Sequence, residues 1–282
     1  MIAVIDIGSN SVRLMLWADG KTILKRILTT RLGAGVENGR LAKPSMERSA
    51  EAVSYLYSEA VKAGAERVFA FATAAVRSAK NQSEFLKLVK ETSGLAVDVV
   101  SGESEARLAA LGALGTSDGI VIDVGGASSE VICVQSGETV FAKSFPIGAV
   151  TLTERSHDNE GNAERCVKEI FSSLPQTCGK VYAVGGTATA LACLTLGLKE
   201  YDAEKVQNCN ISKNELNELK EKLFSLTVEE RKKLIGMEES RADVIACGAC
   251  ILSEIIEKLG ANGIYVSDRD NLEGYLYARG IV

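Results

Sequence analysis

The sequence predicts an α/β protein made of two similar halves, each a sheet with helices. Three observations predict it. The first is an apolar strand that ends in Asp-x-Gly and turns into a second strand, and it occurs twice. Val4-Ile5-Asp6-Ile7-Gly8 lies on Val121-Ile122-Asp123-Val124-Gly125, and Ser11 lies on Ser128, at an offset of 117 residues. The second is that Lys180 to Thr187 matches Arg67 to Ala74 at an offset of 113. Two independent segments with nearly one offset indicate duplication. The third is the order within each half, three strands in hairpins followed by alternating helices and strands.

The first half opens with a strand at Ile2, a Gly8-Ser9-Asn10 turn and a second strand to Trp17. Asp19-Gly20 is a hairpin signal, and Thr22 to Leu28 is the third strand. Arg31 to Arg40 holds three glycines and reads as a mobile loop. An amphipathic helix covers Pro44 to Ala63 and ends at Gly64. Glu66 to Thr73 is a buried strand, Ser83 caps a short helix that stops at Gly94, and Val97 to Val100 is a strand. Glu103 to Leu114 is a helix opened by Ser101-Gly102.

The second half repeats the plan. Val121 to Glu130 carries the strand and glycine turn, Ser136-Gly137 a hairpin, and Val140 to Ser144 a strand before Phe145-Pro146-Ile147-Gly148. Helices are expected at about Ala163 to Ser173 and at Ala188 to Leu196, with the Lys180 strand between them. Ser212-Lys-Asn-Glu215, Thr227-Val-Glu-Glu230 and Ser240-Arg-Ala-Asp243 read as capping-box starts of further helices. Ile264 to Asp268 is the last strand and Asn271 to Arg279 the last helix. The boundary between halves falls at 117/118, giving domains 1–117 and 118–282. Side by side, they would place the two Asp-Gly turns facing each other across a cleft.

Composition narrows the function. With 282 residues and 46% apolar, the chain suits two modest domains or one large one. No apolar run reaches the roughly 18 to 20 residues of a membrane span, and Met1 to Asp6 reads as a buried strand rather than a signal peptide. Seven cysteines without a secretory signal point to reduced thiols in a cytoplasm. Cys247 and Cys250 form a C-x-x-C inside an apolar helical pattern, which favours core thiols over a metal or redox site. The single histidine, His157, excludes most zinc and histidine-based chemistry, so hydrolysis here would run on carboxylates and a metal. Net charge is −5, divided as +3 over residues 1–117 and −8 over 118–282. With no basic run or aromatic-interleaved patch, nucleic-acid binding is disfavoured.

A carboxylate at a strand end beside a glycine turn with available amides suits a phosphate and its magnesium ion. The same stretch also reads as a plain β-hairpin with a solvated aspartate. Finding it twice favours the first reading, because two such turns can hold one phosphate chain from both sides.

The chain resembles the superfamily of actin, hexokinase and Hsp70, built of two ribonuclease-H-like (actin-like ATPase) domains with a cleft between them. Within it, the chain is similar to the exopolyphosphatase and guanosine pentaphosphate phosphatase family. The resemblance rests on Asp6-Ile-Gly-Ser-Asn-Ser11, Ala72-Thr-Ala-Ala-Val-Arg77, Ser101-Gly-Glu-Ser-Glu-Ala-Arg107, Ile122 to Glu130, Pro146-Ile-Gly148, Gly185-Gly-Thr187 and Ser267-Asp268. It implies removal of terminal orthophosphate from polyphosphate, or of the 5′ γ-phosphate from guanosine pentaphosphate (pppGpp), with Mg2+ as cofactor. It places the catalytic glutamate on Glu105, with Glu103 as the neighbouring alternative and Ser104 where the family usually carries glutamate. Phosphate binding falls on Gly8, Ser9, Asn10, Ser11, Arg77, Gly125, Gly126, Ser128 and Gly186. Metal or water binding falls on Asp6, Asp123 and Glu130, with Asp123 also catalytic. Ala127 stands where the family has a third glycine. A homodimer, no nucleic-acid or membrane partner, and a short form without a C-terminal helical domain are expected. The alternatives are a non-catalytic polyphosphate or alarmone sensor, another phosphotransferase of the superfamily, and an actin-like filament protein.

Overall fold

The computed structural model describes residues 1–36, 38–115, 117–175 and 179–281. The chain divides into two compact units, Met1–Leu108 with Asn271–Val282, and Ala109–Asp270.

The first unit holds β1 (Ile2–Ile7), β2 (Ser11–Ala18), β3 (Lys21–Thr29), α1 (Lys43–Lys62), β4 (Arg67–Ala72), α2 (Ala74–Arg77), α3 (Gln82–Ser93) and β5 (Asp98–Val99). The helix α4 (Gly102–Leu114) runs through the division at 108/109. The sheet order is β3-β2-β1-β4-β5, with β1 antiparallel to β2 and parallel to β4. Strand β1 is buried on both faces. Ala3, Ile5 and Ile7 join the core beneath α1 and α3, while Val4, on the opposite face, packs with Met15, Trp17, Phe71 and Leu108. That alternation is the period of two of a strand.

The second unit holds β6 (Gly119–Val124), β7 (Ser129–Gln135), β8 (Glu138–Phe145), α5 (Ala149–Ser156), α6 (Glu160–Lys168), β9 (Val181–Val184), α7 (Gly185–Leu196), α8 (Ala203–Val206), β10 (Asn210–Ser212), α9 (Lys213–Ser225), α10 (Val228–Arg231), α11 (Ile245–Leu259) and β11 (Gly263–Val266). Its sheet runs β10-β11-β9-β6-β7-β8. Without the added β10, this is the strand order of the first sheet, and it is the ribonuclease-H-like topology. The registers reproduce both offsets. Asp6 lies opposite Arg13 and beside Phe71, and Asp123 lies opposite Glu130 and beside Val184.

Local signals differ from the structure in a few places. Helix α3 starts at Gln82 after Asn81, so Ser83 lies inside its first turn. Asn81 instead clasps the backbone of Leu41 from both sides, at 2.9 and 3.1 Å. The capping boxes at Ser212 and Thr227 form as expected. Ser240 sits in a single 3-10 turn, and α11 begins only at Ile245. Residues 149–156, unassigned from the sequence, form α5. Cys247 and Cys250 are buried on α11, and burial raises both thiols, Cys250 to about 12. Thiols held protonated in this way are core groups. No helix among the described residues is long and apolar enough to cross a membrane.

The last helix, α12 (Asn271–Ala278), groups with the first unit, whereas the sequence boundary placed it with the second half. Leu272, Tyr275 and Leu276 complete the apolar face of Val4, Met15 and Phe71, and Tyr275 stacks on Phe71 at 4.8 Å between centroids. An apolar sheet face needs a cover, and the chain supplies it from its far end. The contact depends on Gly274, where an added Cβ would overlap the Leu108 carbonyl. Gly274→Ala is therefore expected to lower stability by about 1–3 kcal/mol, as overpacking does, read as a lower urea midpoint at unchanged slope.

Candidate active site

In the first unit, the turn after β1 is closed by Gly8 N–H donating to the Ser11 carbonyl at 2.9 Å. A Cβ at Gly8 would stand 3.0 Å from that carbonyl, so glycine lets the turn close. The Asn10 carbonyl accepts from Thr30 and Arg31, and the Ser9 carbonyl from Gly33. The Ser9 and Asn10 carbonyls are thus tied back, while the Ser9 and Asn10 amides donate to no protein acceptor among the described residues. The loop expected to be mobile is in part this backing. Amides presented from a turn make an anion cradle.

Beside the turn, Asp6 is 3% exposed and ion-paired with Arg13 across the β1–β2 ladder. Beyond β4, Thr73 donates its amide to the Ile7 carbonyl, and α2 carries Arg77. Glu105, in the first turn of α4, is 6% exposed and meets Arg77 Nη1 at 2.6 Å; the same nitrogen donates to the Val100 carbonyl. Burial holds the Glu105 carboxyl above the ordinary carboxylate range. Arg77 works against that shift, the Asp6 charge adds to it, and the Thr73 side chain gives a weaker contact favouring the charged form. A carboxylate raised by burial next to a specific charge partner is a functional-site candidate. Glu103, the other carboxylate of this turn, is exposed and pairs with Arg107 at 3.3 Å. Ser104 joins the start of α4, its amide donating to Ser101 Oγ at 3.1 Å.

The second unit repeats the turn. Gly125 N–H donates to the Ser128 carbonyl at 3.0 Å, and a Cβ at Gly125 would lie 3.2 Å from it. Ala127 does not adopt positive φ, so its methyl imposes no left-handed strain. Asp123 is 7% exposed, and a Cβ on Gly185, at φ +79°, would overlap its carboxylate. Glu130, also buried, accepts from the Ser144 hydroxyl at 2.6 Å. Gly186 lies beneath the guanidinium of Arg241, which is itself paired with Glu238 at 2.9 Å. Thr187 ties the start of α7 to the Val124 carbonyl at 2.8 Å.

Each unit therefore gathers its own share of the expected residues. Asp6, Gly8, Ser9, Asn10, Ser11, Arg77 and Glu105 belong to the first, and Asp123, Gly125, Gly126, Ser128, Glu130 and Gly186 to the second. Arg13, Thr73 and Arg241 join these sites without being among the residues expected from the sequence. Arg13 had a signal, since the offset that pairs Asp6 with Asp123 pairs Arg13 with Glu130. For magnesium, the donor chemistry fits. Asp123 and Glu130 are buried carboxylates opposed on neighbouring strands, hard oxygen donors of the kind magnesium takes. Magnesium takes one or two carboxylates together with phosphate oxygens rather than a complete protein cage. Among the described residues, no group of three or more His, Cys, Asp or Glu side chains forms such a cage.

The model of the Ppx/GppA phosphatase family matches residues 12–279. Exopolyphosphatase 2 of Mycobacterium tuberculosis is 30% identical, over 97% of this chain and 96% of its own. Among solved structures, the Aquifex aeolicus Ppx/GppA family member superimposes with a TM-score of 0.81 at 32% identity, over 99% of this chain and 97% of its own. An exopolyphosphatase from Cytophaga hutchinsonii, 24% identical, shares the fold with a TM-score of 0.86 over 99% of this chain and 97% of its own.

Proposed function

The chain belongs to the Ppx/GppA phosphatase family, and from that premise we propose that it is a magnesium-dependent phosphoanhydride hydrolase. It removes terminal orthophosphate from inorganic polyphosphate, the 5′ γ-phosphate of guanosine pentaphosphate, or both. The observation that carries the reading is Glu105, a buried carboxylate raised by desolvation and held by Arg77 next to an amide-presenting turn.

In the first unit the amides at Ser9 and Asn10 bind phosphate oxygens and Arg77 adds charge; in the second the amides at Gly126 and Ala127 serve as phosphate donors. Glu105 accepts a proton from a water whose oxygen attacks the terminal phosphorus. The bridging P–O bond breaks in line, so that the attacked group becomes orthophosphate and the shortened chain leaves with the bridging oxygen. Asp123 and Glu130 of the second unit are the carboxylates that would hold magnesium, and Asp6 is the corresponding carboxylate of the first. When bound, magnesium neutralises charge on the phosphate oxygens.

The test is orthophosphate release from polyphosphates of two lengths and from guanosine pentaphosphate, side by side. Release from at least one of them, stopped by a chelator and restored by magnesium, is expected. Tight binding of all three without release would overturn the hydrolase reading in favour of a sensor.

A further inference from the structure

The Pro146-Ile147-Gly148 stretch belongs to the family resemblance, yet none of its side chains carries chemistry. Its role lies in leading the chain into α5. The opening amides of that helix go to the second glycine turn. Ala149 N–H donates to the Gly125 carbonyl at 2.8 Å, and Val150 and Thr151 N–H donate to the Gly126 carbonyl at 2.9 and 3.1 Å. The first N–H groups of a helix have no acceptor within it, and here the turn provides them. With both carbonyls tied back, the Gly126 and Ala127 amides donate to no protein acceptor among the described residues. Two consecutive peptides are thereby turned so that their donors face away from the helix. The positive end of the α5 dipole stands directly behind them.

This approach requires glycine at 148. An added Cβ would stand 2.5 Å from the Gly125 oxygen and the Gly126 carbonyl carbon, and 2.6 Å from the Gly126 oxygen. Gly148 itself is extended, with φ −137°, so backbone conformation alone would admit any residue. The constraint is contact with backbone, which cannot move aside as a flexible side chain would. Thr151 holds the helix start in place. Its hydroxyl accepts from Gly148 N–H at 2.8 Å and donates to the Gly148 carbonyl at 3.1 Å.

In the first unit only the counterpart of the second of these peptides is held in this way, the one that joins the Ser9 carbonyl to the Asn10 amide, and with different material. There the backing amides come from an irregular segment, Thr30, Arg31 and Gly33. That segment is fixed from α1, where Arg48 donates twice to the Thr30 carbonyl and Ser49 donates to the Thr30 hydroxyl. The one peptide held from behind in both turns, 9–10 in the first and 126–127 in the second, is held by unrelated material, which indicates that its orientation is what matters.

We propose that Gly148 and Thr151 are positioning residues for phosphate capture, holding α5 against the second turn so that its amides point at the substrate. The inference rests on reading that turn as a phosphate site. It affects affinity rather than the attacking water, because Glu105 lies on α4.

The experiment uses the full chain and tripolyphosphate. Equilibrium binding is measured by calorimetry, and orthophosphate release gives KM and kcat. Losing well-aimed amide donors to a charged group weakens binding about tenfold or more, so Gly148→Ala should raise Kd and KM by that factor with kcat within about threefold. Thr151→Val, which adds nothing against the turn, should weaken binding by about threefold to tenfold, and Thr151→Ser should behave as wild type. If Gly148→Ala does not fold, the two Thr151 variants decide. Wild-type binding in Gly148→Ala and Thr151→Val, or a fall in kcat at unchanged KM, would overturn the proposal. So would a wild-type chain that does not bind tripolyphosphate. A wild-type chain that binds it but releases no orthophosphate would refute the hydrolase reading, while the binding comparison still judges the positioning role.

Discussion

Glu105→Gln is expected to bind polyphosphate as the wild type does and to release orthophosphate at least about 10²-fold more slowly, the usual size of a positioned acid–base contribution. The amide keeps the volume and one carbonyl oxygen toward Arg77, so the local structure should survive. What it loses is an oxygen able to take the proton from water. Burial of Glu105 and its 2.6 Å contact with Arg77 set the pH dependence as well. Burial raises the carboxyl, the Arg77 pairing opposes this, and the net direction is upward. A base works only when deprotonated, so the wild-type rate should fall with acidification at a pH above the usual glutamate value of about 4.3. The variant should lack that acid limb. Release within threefold of wild type, or an acid limb unchanged in the variant, would remove Glu105 from the mechanism. Glu103→Gln is the matched comparison. It is exposed beside Arg107, and its loss should leave the rate unchanged.

Arg231→Ala should cost about 3 kcal/mol of stability, at the lower end for a broken buried ion pair. Arg231 closes α10 and has no exposed surface. Its Nε donates to the Leu223 carbonyl at 2.6 Å, and its Nη1 to Asp158 at 2.9 Å and the Ala242 carbonyl at 3.3 Å. One side chain thus joins the end of α9, the left-handed residue Asp158 between α5 and α6, and the approach to α11. Truncation leaves two carbonyls and a carboxylate without their donor. Asp158 is 28% exposed and can take up water, which keeps the figure at the lower end of the range. Lysine should not restore the loss, because one ammonium cannot reproduce the planar fork. Urea unfolding measures it, and a loss under about 1 kcal/mol would show that the cluster does not hold these segments.

The duplicated turns were legible because each is local, a strand end, a carboxylate and a glycine within a few residues. The strand registers then carry both sequence offsets into space, with Asp6 beside Phe71 and Asp123 beside Val184. The chemistry of Glu105 came from the resemblance, since nothing in Ser101 to Arg107 alone separates Glu103 from Glu105. Burial separates them, leaving one beside Arg77 and the other in solvent. Ser240 shows the opposite failure. Its spacing to Asp243 has the form of a helix start, but Arg241 is drawn to Glu238 and lies over Gly186, so the chain makes a short 3-10 turn first.

By itself, the sequence determined most of the order of strands and helices and the two equivalent Asp-Gly turns. These depend on residue type and short-range periodicity, which neighbouring residues express wherever the segment finally lies. Only the tertiary structure decided that α12 covers the sheet of the first unit, that α5 backs the second turn through Gly148, and which glutamate is buried. Each of those is a contact between segments distant in the chain. Such contacts are chosen by which apolar face remains to be covered and which backbone groups still need a partner, and no local window contains that information.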